Sequence, residues 1–292
     1  MIEDLIYTAL MESEEIADMI AVFDGEPAIF YQQAPHDMED LWYGEQYPRI
    51  DYTVDWQFDP ERKASGTLSV NVWCLNNQPI TPEEIEKHVK ACFKDLFLTV
   101  DGETYSTAWN RSDAFDAGGG NEPLTIGTTI TFDILAFPVQ YTTIPDPIEG
   151  QNLWIKGVVP DALVIGVDGM PELLRATADE PVIYCRMIGD MSNMRNSYAV
   201  AWMVVTIGIH VFAPDTTVRQ TICRRIVNAL SLEGEVLLTD DSPMIIQKTT
   251  ITTASDPLRT GQISVTGQYG VLRRESPCET IQSVNVTREA NR

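Results

Sequence analysis

Ile85, Val89, Phe93 and Phe97 recur at spacing four, and Val218, Ile222, Ile226 and Leu230 repeat that spacing 133 positions later. Apolar residues at that spacing form one stripe on a helix, which must bury against something. Each stripe has a start signal. In the first, Thr81, Pro82 and Glu84 form the pattern of a capping box with Pro in the first turn. In the second, Asp215 or Thr216 is the expected cap. Alternating strand-like runs precede both helices, Ser65–Trp73 ("SGTLSVNVW") and Ala201–Phe212 ("AWMVVTIGIHVF"). Similar runs close both stretches, Gly127–Phe137 ("GTTITFDILAF") and Gly261–Leu272 ("GQISVTGQYGVL"). Phe132 follows Phe97, and Val265 follows Leu230, by the same 35 residues.

These coincidences predict one plan written twice. The beginnings supply a further match, "EPAIFYQ" from Glu26 and "EPVIYCR" from Glu180. Those two are 154 positions apart, so the reading requires 21 extra residues in the first copy. Their expected place is "QAPHDMEDLWYGEQYP" and the turn "DPERKASG". An amphipathic helix is expected from Ile2 to Ile20, with a shorter counterpart in "MPELLRATAD" (Met170–Asp179). Each copy thus reads helix, strand, strand hairpin, helix, strand pair. The predicted fold class is α+β: two tandem copies of a small mixed or antiparallel sheet packed against helices. The expected divisions are a first domain at 1–140, a linker at 141–152 rich in Pro, Thr and Gly, a second domain at 153–275 and a C-terminal tail at 276–292. Residues 153–170 are read as a strand or edge element that opens the second copy.

The formal net charge is −23, and it is unevenly placed. Residues 1–150 hold 28 Asp and Glu against 7 Lys and Arg, whereas residues 151–292 hold 15 against 13. Such a charge opposes docking on nucleic-acid backbone and on anionic membranes. The acidic N-terminus lacks the pattern of a secretory signal, and no apolar run reaches the length of a membrane span, so assembly in a cytoplasm is expected.

Chemistry-bearing patterns are sparse. His36, His88 and His210 fall in a loop, a helix and a strand, and none has a partner at metal-ligand spacing. The expectation is a surface role for the first two and a satisfied strand histidine for the third. Of five cysteines, Cys74, Cys92, Cys185 and Cys223 fall in strand-like or helix-like stretches and are expected as small buried hydrophobes; Cys278 is the fifth. The glycine cluster "DAGGGNEP" (Asp116–Pro123) precedes a strand rather than a helix, which suits a hairpin loop and not a phosphate cradle. No catalytic, cofactor-binding or metal-binding residue is predicted, and no cofactor. The loop "MEDLWYGE" mixes acid with aromatics. It supplies the interface candidates Asp37, Glu39, Asp40, Trp42 and Tyr43; the same aromatics could instead cover the loop's own underside.

The first copy resembles the tail terminator and tail-completion proteins of tailed bacteriophages. The likeness rests on the amphipathic helix of "IEDLIYTALMESEEIADMI", a short strand leading into a Pro-containing loop, and the P-x-I-x-Y strand formed by Pro48, Ile50 and Tyr52. A hydrophobic strand, a helix and a final strand pair follow. The resemblance covers about residues 2–138 and, more weakly, 170–272. It implies a non-enzymatic virion protein that forms a homo-oligomeric ring, usually a hexamer, on the last ring of the tail tube. Its implied partners are other copies of itself, the tail tube protein, a sheath where the tail has one, and the head-tail connector. Genomic DNA would pass through without specific binding. Duplication leaves open six chains per ring, or three. Two readings of other classes compete: an acidic host-directed binding protein, and an enzyme with an unrecognised carboxylate site.

Overall fold

The computed structural model describes residues 1–42, 44–57, 65–117, 124–141, 143–196 and 199–273. The chain opens with helices α1 (Ile2–Met11) and α2 (Glu14–Ala17). A two-residue ribbon follows, β1 (Val22–Phe23) and β2 (Glu26–Pro27), then β3 (Ile29–Tyr31), a 3-10 turn η1 (Asp40–Trp42), and β4 (Arg49–Trp56). Next come β5 (Gly66–Leu75), α3 (Pro82–Phe93), β6 (Leu96–Val100), β7 (Glu103–Ala117) and β8 (Thr125–Ala136). The second half comprises α4 (Pro147–Val158), β9 (Leu163–Val164), β10 (Leu173–Arg175), β11 (Val182–Asn196), β12 (Val200–Phe212), α5 (Thr216–Glu233), β13 (Glu235–Leu237), β14 (Pro243–Ile251) and β15 (Ile263–Leu272).

Two large sheets result. Their orders are β10-β6-β7-β8-β5-β4-β3 and β13-β14-β15-β12-β11-β9. With β10 set aside, the orders are the same, strand for strand. The directions agree too: β3 pairs parallel with β4 and β9 parallel with β11, and the remaining pairs in both sheets are antiparallel. The α+β class and the doubled sheet-on-helix plan are therefore present.

The residue alignment differs from the one the Glu-Pro match suggested. Glu26-Pro27 forms β2 ahead of the edge strand β3, whereas Pro181 leads into β11, the counterpart of β4. The true equivalent of Pro181 is Pro48, 133 positions earlier, the same offset as the helix stripes. Ile50 and Ile183 then hold equivalent places, each paired with the parallel edge strand through Ile29 or Val164. No insertion of 21 residues is needed, because the connections 32–48 and 165–181 are both seventeen residues long.

Other expectations need correction. The stretch 141–152, expected to link the copies, contains the first half of α4, which is the counterpart of α1. "MPELLRATAD" holds no helix; it contains β10, which leaves its own half and pairs with β6 of the first sheet. Residues 153–170 hold the rest of α4, which was not expected there, and then β9, an edge strand as expected. The fourth stripe pair also parts: Phe97 lies beyond the end of α3, in β6, while Leu230 remains within the longer α5. The expected tail at 276–292 lies outside the described residues.

Each sheet buries one face under its helices. In the first, Ile6, Leu10, Ile85, Val89 and Phe93 pack on Ile50, Val70, Leu98 and Phe132. In the second, Ile148, Ile155, Ile222, Ile226 and Leu230 pack on Ile183, Ile207, Val236 and Val265. Full burial of such a side chain stabilises by about 1.5–3 kcal/mol, so these faces supply most of the stability of each half. The helix starts are satisfied locally. Thr81 and Glu84 form the expected capping box, Asp215 Oδ1 accepts from the N–H of Thr217 at 2.6 Å, and Asp146 Oδ1 accepts from those of Ile148 and Glu149 at 2.8 and 3.0 Å.

A third apolar cluster joins the halves. Phe97, Ala108, Leu135 and Phe137 of the first meet Leu174, Val182, Tyr184 and Phe212 of the second. Phe97 stands edge-on to Phe212 with ring centroids 4.9 Å apart, and Phe137 edge-on to Tyr184 at 5.2 Å. The contact is extended by the β10–β6 pairing. Arg175 of β10 also donates to the carbonyls of Ala91 and Cys92 at the end of α3, at 3.0 and 2.6 Å. The Ala91 carbonyl also accepts from Lys94 N–H at 3.3 Å, and the guanidinium supplies further donors to this helix end.

Candidate interaction surfaces

The loop that carries the interface candidates is built around its tryptophan. Trp42 is buried against Ala21, Ala28, Phe23 and Phe30, with the Phe23 ring centroid 4.9 Å away. Its indole Nε1 donates to the carbonyl of His36 at 3.1 Å, and the Arg49 guanidinium lies 5.6 Å from the ring centroid. Trp42 thus covers the underside of its own loop and has no face left for a partner. Asp37, Glu39 and Asp40 are exposed, as an interface requires. Asp37 is nevertheless engaged, accepting from Arg49 and from the Tyr47 hydroxyl, and Glu39 accepts from the N–H of His36. Tyr43 lies outside the described residues. The exposed apolar groups here are Met38 and Leu41, which bracket Glu39 and Asp40.

A more prominent aromatic escaped sequence reasoning. Trp109 is 53% exposed, in the middle of β7 beside the last turn of α3. Its Nε1 donates to Ser112 Oγ at 3.1 Å, and Lys90 Nζ sits 4.0 Å from the ring centroid. An indole held in place by a cation and a hydroxyl, with half its surface in water, has the character of an interface anchor. The signal available in sequence was weak: one Trp in the alternating run "TAWNRSDAF". From Trp109 onward, β7 has no buried residue, whereas its β8 partners Thr128, Ile130 and Phe132 are buried, so this stretch of β7 is an exposed strand beside a core strand. The glycine cluster that joins it to β8 falls largely outside the described residues, but the flanking Ala117 and Thr125 pair, as a hairpin requires.

The groups that could do chemistry are engaged structurally. Cys74, Cys92, Cys185 and Cys223 are all buried, and burial raises each thiol well above its ordinary pKa, to about 12 for Cys74 and about 11 for Cys92 and Cys223. Asp51, buried on the outer face of the first sheet, has its carboxyl raised by burial. Hydrogen bonds from Asn71 Nδ2, at 2.6 Å, and from Trp73 Nε1 work the other way. Asn71 in turn accepts from Thr129 Oγ1 at 2.7 Å, so the carboxylate anchors a cross-strand polar chain. His210 is buried in β12. Its Nδ1 lies 2.6 Å from the carbonyl of Pro257, and Arg186 Nε donates to its Nε2 at 3.1 Å. Both ring nitrogens are satisfied, as expected for a strand histidine. Among the described residues, no group of three or more His, Cys, Asp or Glu is placed to hold a metal ion. No described helix is long and apolar enough to cross a membrane.

Two clefts flank the outer edges of the sheets. One, of about 460 Å³, lies among α1, α3 and β10 and is lined by Glu12, Glu15, His88, Cys92 and Arg175. The other, of about 390 Å³, is lined by Trp154, Glu233, Glu235 and Leu237 along β13. Comparison with known proteins adds no relative: no family model matches the chain, and no curated protein matches it.

Proposed function

We propose that this protein is a structural component of a phage tail: a ring-forming terminator that caps the tail tube and meets the head connector. One observation carries the reading. Two sheets of the same strand order stand side by side, and one lends the other a strand, as subunits in a ring do. The likeness of residues 2–138 to tail terminators supplies the identity of the ring. The engaged state of the buried thiols, Asp51 and His210 supports surfaces rather than a pocket as the working part.

On this reading the exposed Trp109 ribbon is the natural contact with the tube, and the acidic first half faces the bore. Acidic walls repel phosphate over a Debye length of about 8–10 Å, which lets DNA slide. The virion tail or neck is the resulting location. Addition of the protein to polymerising tail-tube protein should cap tube ends and shorten the tubes seen by electron microscopy. Trp109→Ala should weaken capping at least tenfold, as loss of an interface anchor does, with unfolding stability changed by less than about 1 kcal/mol. Tubes of unchanged length, with no density at their ends, would refute the reading.

A further inference from the structure

We infer that the exposed Trp109 of the first half is aimed by the second half: Arg259, reaching across through Asp133 and Asn110, is its positioning residue. The inference takes from the proposed function only that Trp109 is a contact.

Strand β7 needs such a hold at this point. β6 pairs with it only as far as Ser106, so from Trp109 onward β8 alone borders it among the described strands. The ladder with β8 is also interrupted there. Trp109 lies opposite Phe132 and Arg111 opposite Thr131, which leaves Asn110 as the extra residue of a β-bulge. A bulge bends its strand and re-aims the side chains beside it. On a strand bordered on one side only, side-chain contacts decide how far it turns.

Two grips are present, one on each face. On the helix side, Lys90 Nζ sits 4.0 Å from the centroid of the indole ring, and Nε1 donates to Ser112 Oγ at 3.1 Å. Both groups belong to the first half. On the other side, Asn110 Nδ2 donates to Asp133 Oδ1 at 2.8 Å, and Asp133 Oδ2 takes the guanidinium of Arg259. Asp133 follows Phe132 on β8, so it faces away from the first core and toward the second half. Its side chain is only 15% exposed, which makes this pair stronger than one in open water. Arg259, on the connection from β14 to β15, is held in turn. Its carbonyl accepts from Arg186 Nη2 at 2.8 Å, and its Nε lies 3.6 Å from Asp256 Oδ2. The N–H groups of Thr260 and Gly261 close on the Asp256 carbonyl at 3.0 and 3.1 Å. The pin on Asn110 is thus rooted in the second sheet.

The second half supplies a contrast. β14, the counterpart of β7, has its own bulge between Ile246 and Lys248. Its extra residue, Gln247, donates to Gln268 of the same sheet at 2.7 Å. Of these two bulges, only the one beside the exposed indole is tied across the halves. By linkage, a partner that fixes Trp109 also tightens the contact between the halves, and the converse holds.

The test is fluorine NMR of the full chain with 5-fluorotryptophan at all six tryptophans, the Trp109 resonance being assigned by its loss in Trp109→Phe. Arg259→Ala and Asn110→Ala should each shift the Trp109 resonance and leave those of Trp56 and Trp73, on the same sheet, in place. The double variant should shift it no further than Asn110→Ala alone, because both remove one pin. Arg259→Lys, which keeps the charge, should restore at least half of the shift. Arg175→Ala, which weakens the contact of the halves elsewhere, should not move it. Asn110 is exposed, so its variant keeps the test open if Arg259→Ala does not fold. An unmoved Trp109 resonance in Asn110→Ala would overturn the inference. So would a folded Arg259→Ala that leaves it in place, or an equal shift in Arg175→Ala. A chain that caps no tubes yet shows the expected pattern would remove the tail reading and leave this inference standing.

Discussion

Phe97→Ala should be the most damaging single truncation at the contact between the halves, lowering stability by about 3–5 kcal/mol. Phe97 is fully buried, yet it sits on a strand whose other residues serve the first core. Its ring meets Phe212 at 4.9 Å and Phe137 at 5.8 Å, and lies beside the Leu174 pairing of β10. Truncation leaves a cavity ringed by aromatic groups that the rigid sheet pairs cannot close. Phe93→Ala offers the control. That ring is as deeply buried but packs on Phe132 within the first core. Both variants should unfold at lower denaturant. Only Phe97→Ala should also separate the transition into two, as the halves lose their coupling. The double variant Phe97→Ala with Phe212→Ala should cost less than the two singles together, because the rings share one contact. A single unshifted transition for Phe97→Ala would mean that the halves are not held by this cluster.

The second large effect is acid sensitivity centred on His210. Burial pushes the imidazole pKa down to about 4, the Pro257 carbonyl partly restores it, and Arg186 pushes it down again, with Asp256 opposing. The geometry agrees. With Arg186 Nε donating to Nε2, the neutral ring places its proton on Nδ1, toward the Pro257 carbonyl. A second proton on Nε2 would point at the guanidinium. The folded pKa lies below the unfolded value of 6.5. The contribution of the neutral ring is therefore complete above 6.5 and declines as pH falls toward about 4, where the loss levels off. At about 1.4 kcal/mol per pKa unit the loss is on the order of 3 kcal/mol. Carboxylates titrate in the lower part of the same window, so the comparison is with His210→Gln, whose amide can both donate and accept without titrating. Denaturant melts from about pH 7 to about pH 4 should show a steeper decline for the native chain. Equal slopes would contradict the assignment.

Much of the fold was legible because amphipathic periodicity is local. The α3 and α5 stripes, the Thr81 and Asp215 caps and the paired long strands all follow from spacing within a dozen residues. What sequence concealed was non-local. The α4 helix begins with Asp146-Pro147, a fair start signal, but the Pro, Thr and Gly of 141–152 also suit a linker, and Gly150 and Gly157 lower helix propensity. Gly150 is there for packing: a Cβ would lie 2.7 Å from Leu238 Cδ2 and 3.2 Å from the Leu237 carbonyl oxygen. Three residues of β10 carry no periodicity, and their pairing with β6, far earlier in the chain, is decided by which edge is open. The Glu-Pro match misled because Pro marks the entry to any strand, whereas the sheet register equates Pro181 with Pro48. Among the interface candidates, Trp42 could by sequence anchor a partner or cover its own loop; Ala21, Phe23, Ala28 and Phe30 enclose it, which selects the second.

The most direct measurement is the mass of the purified chain in solution across a concentration series, by native mass spectrometry or sedimentation. Closure of a ring requires one discrete oligomer, at three or six times 32.7 kDa, that grows with concentration at the expense of monomer. A particle of 32.7 kDa at every concentration, or a series of open multimers without a closed end point, would contradict it.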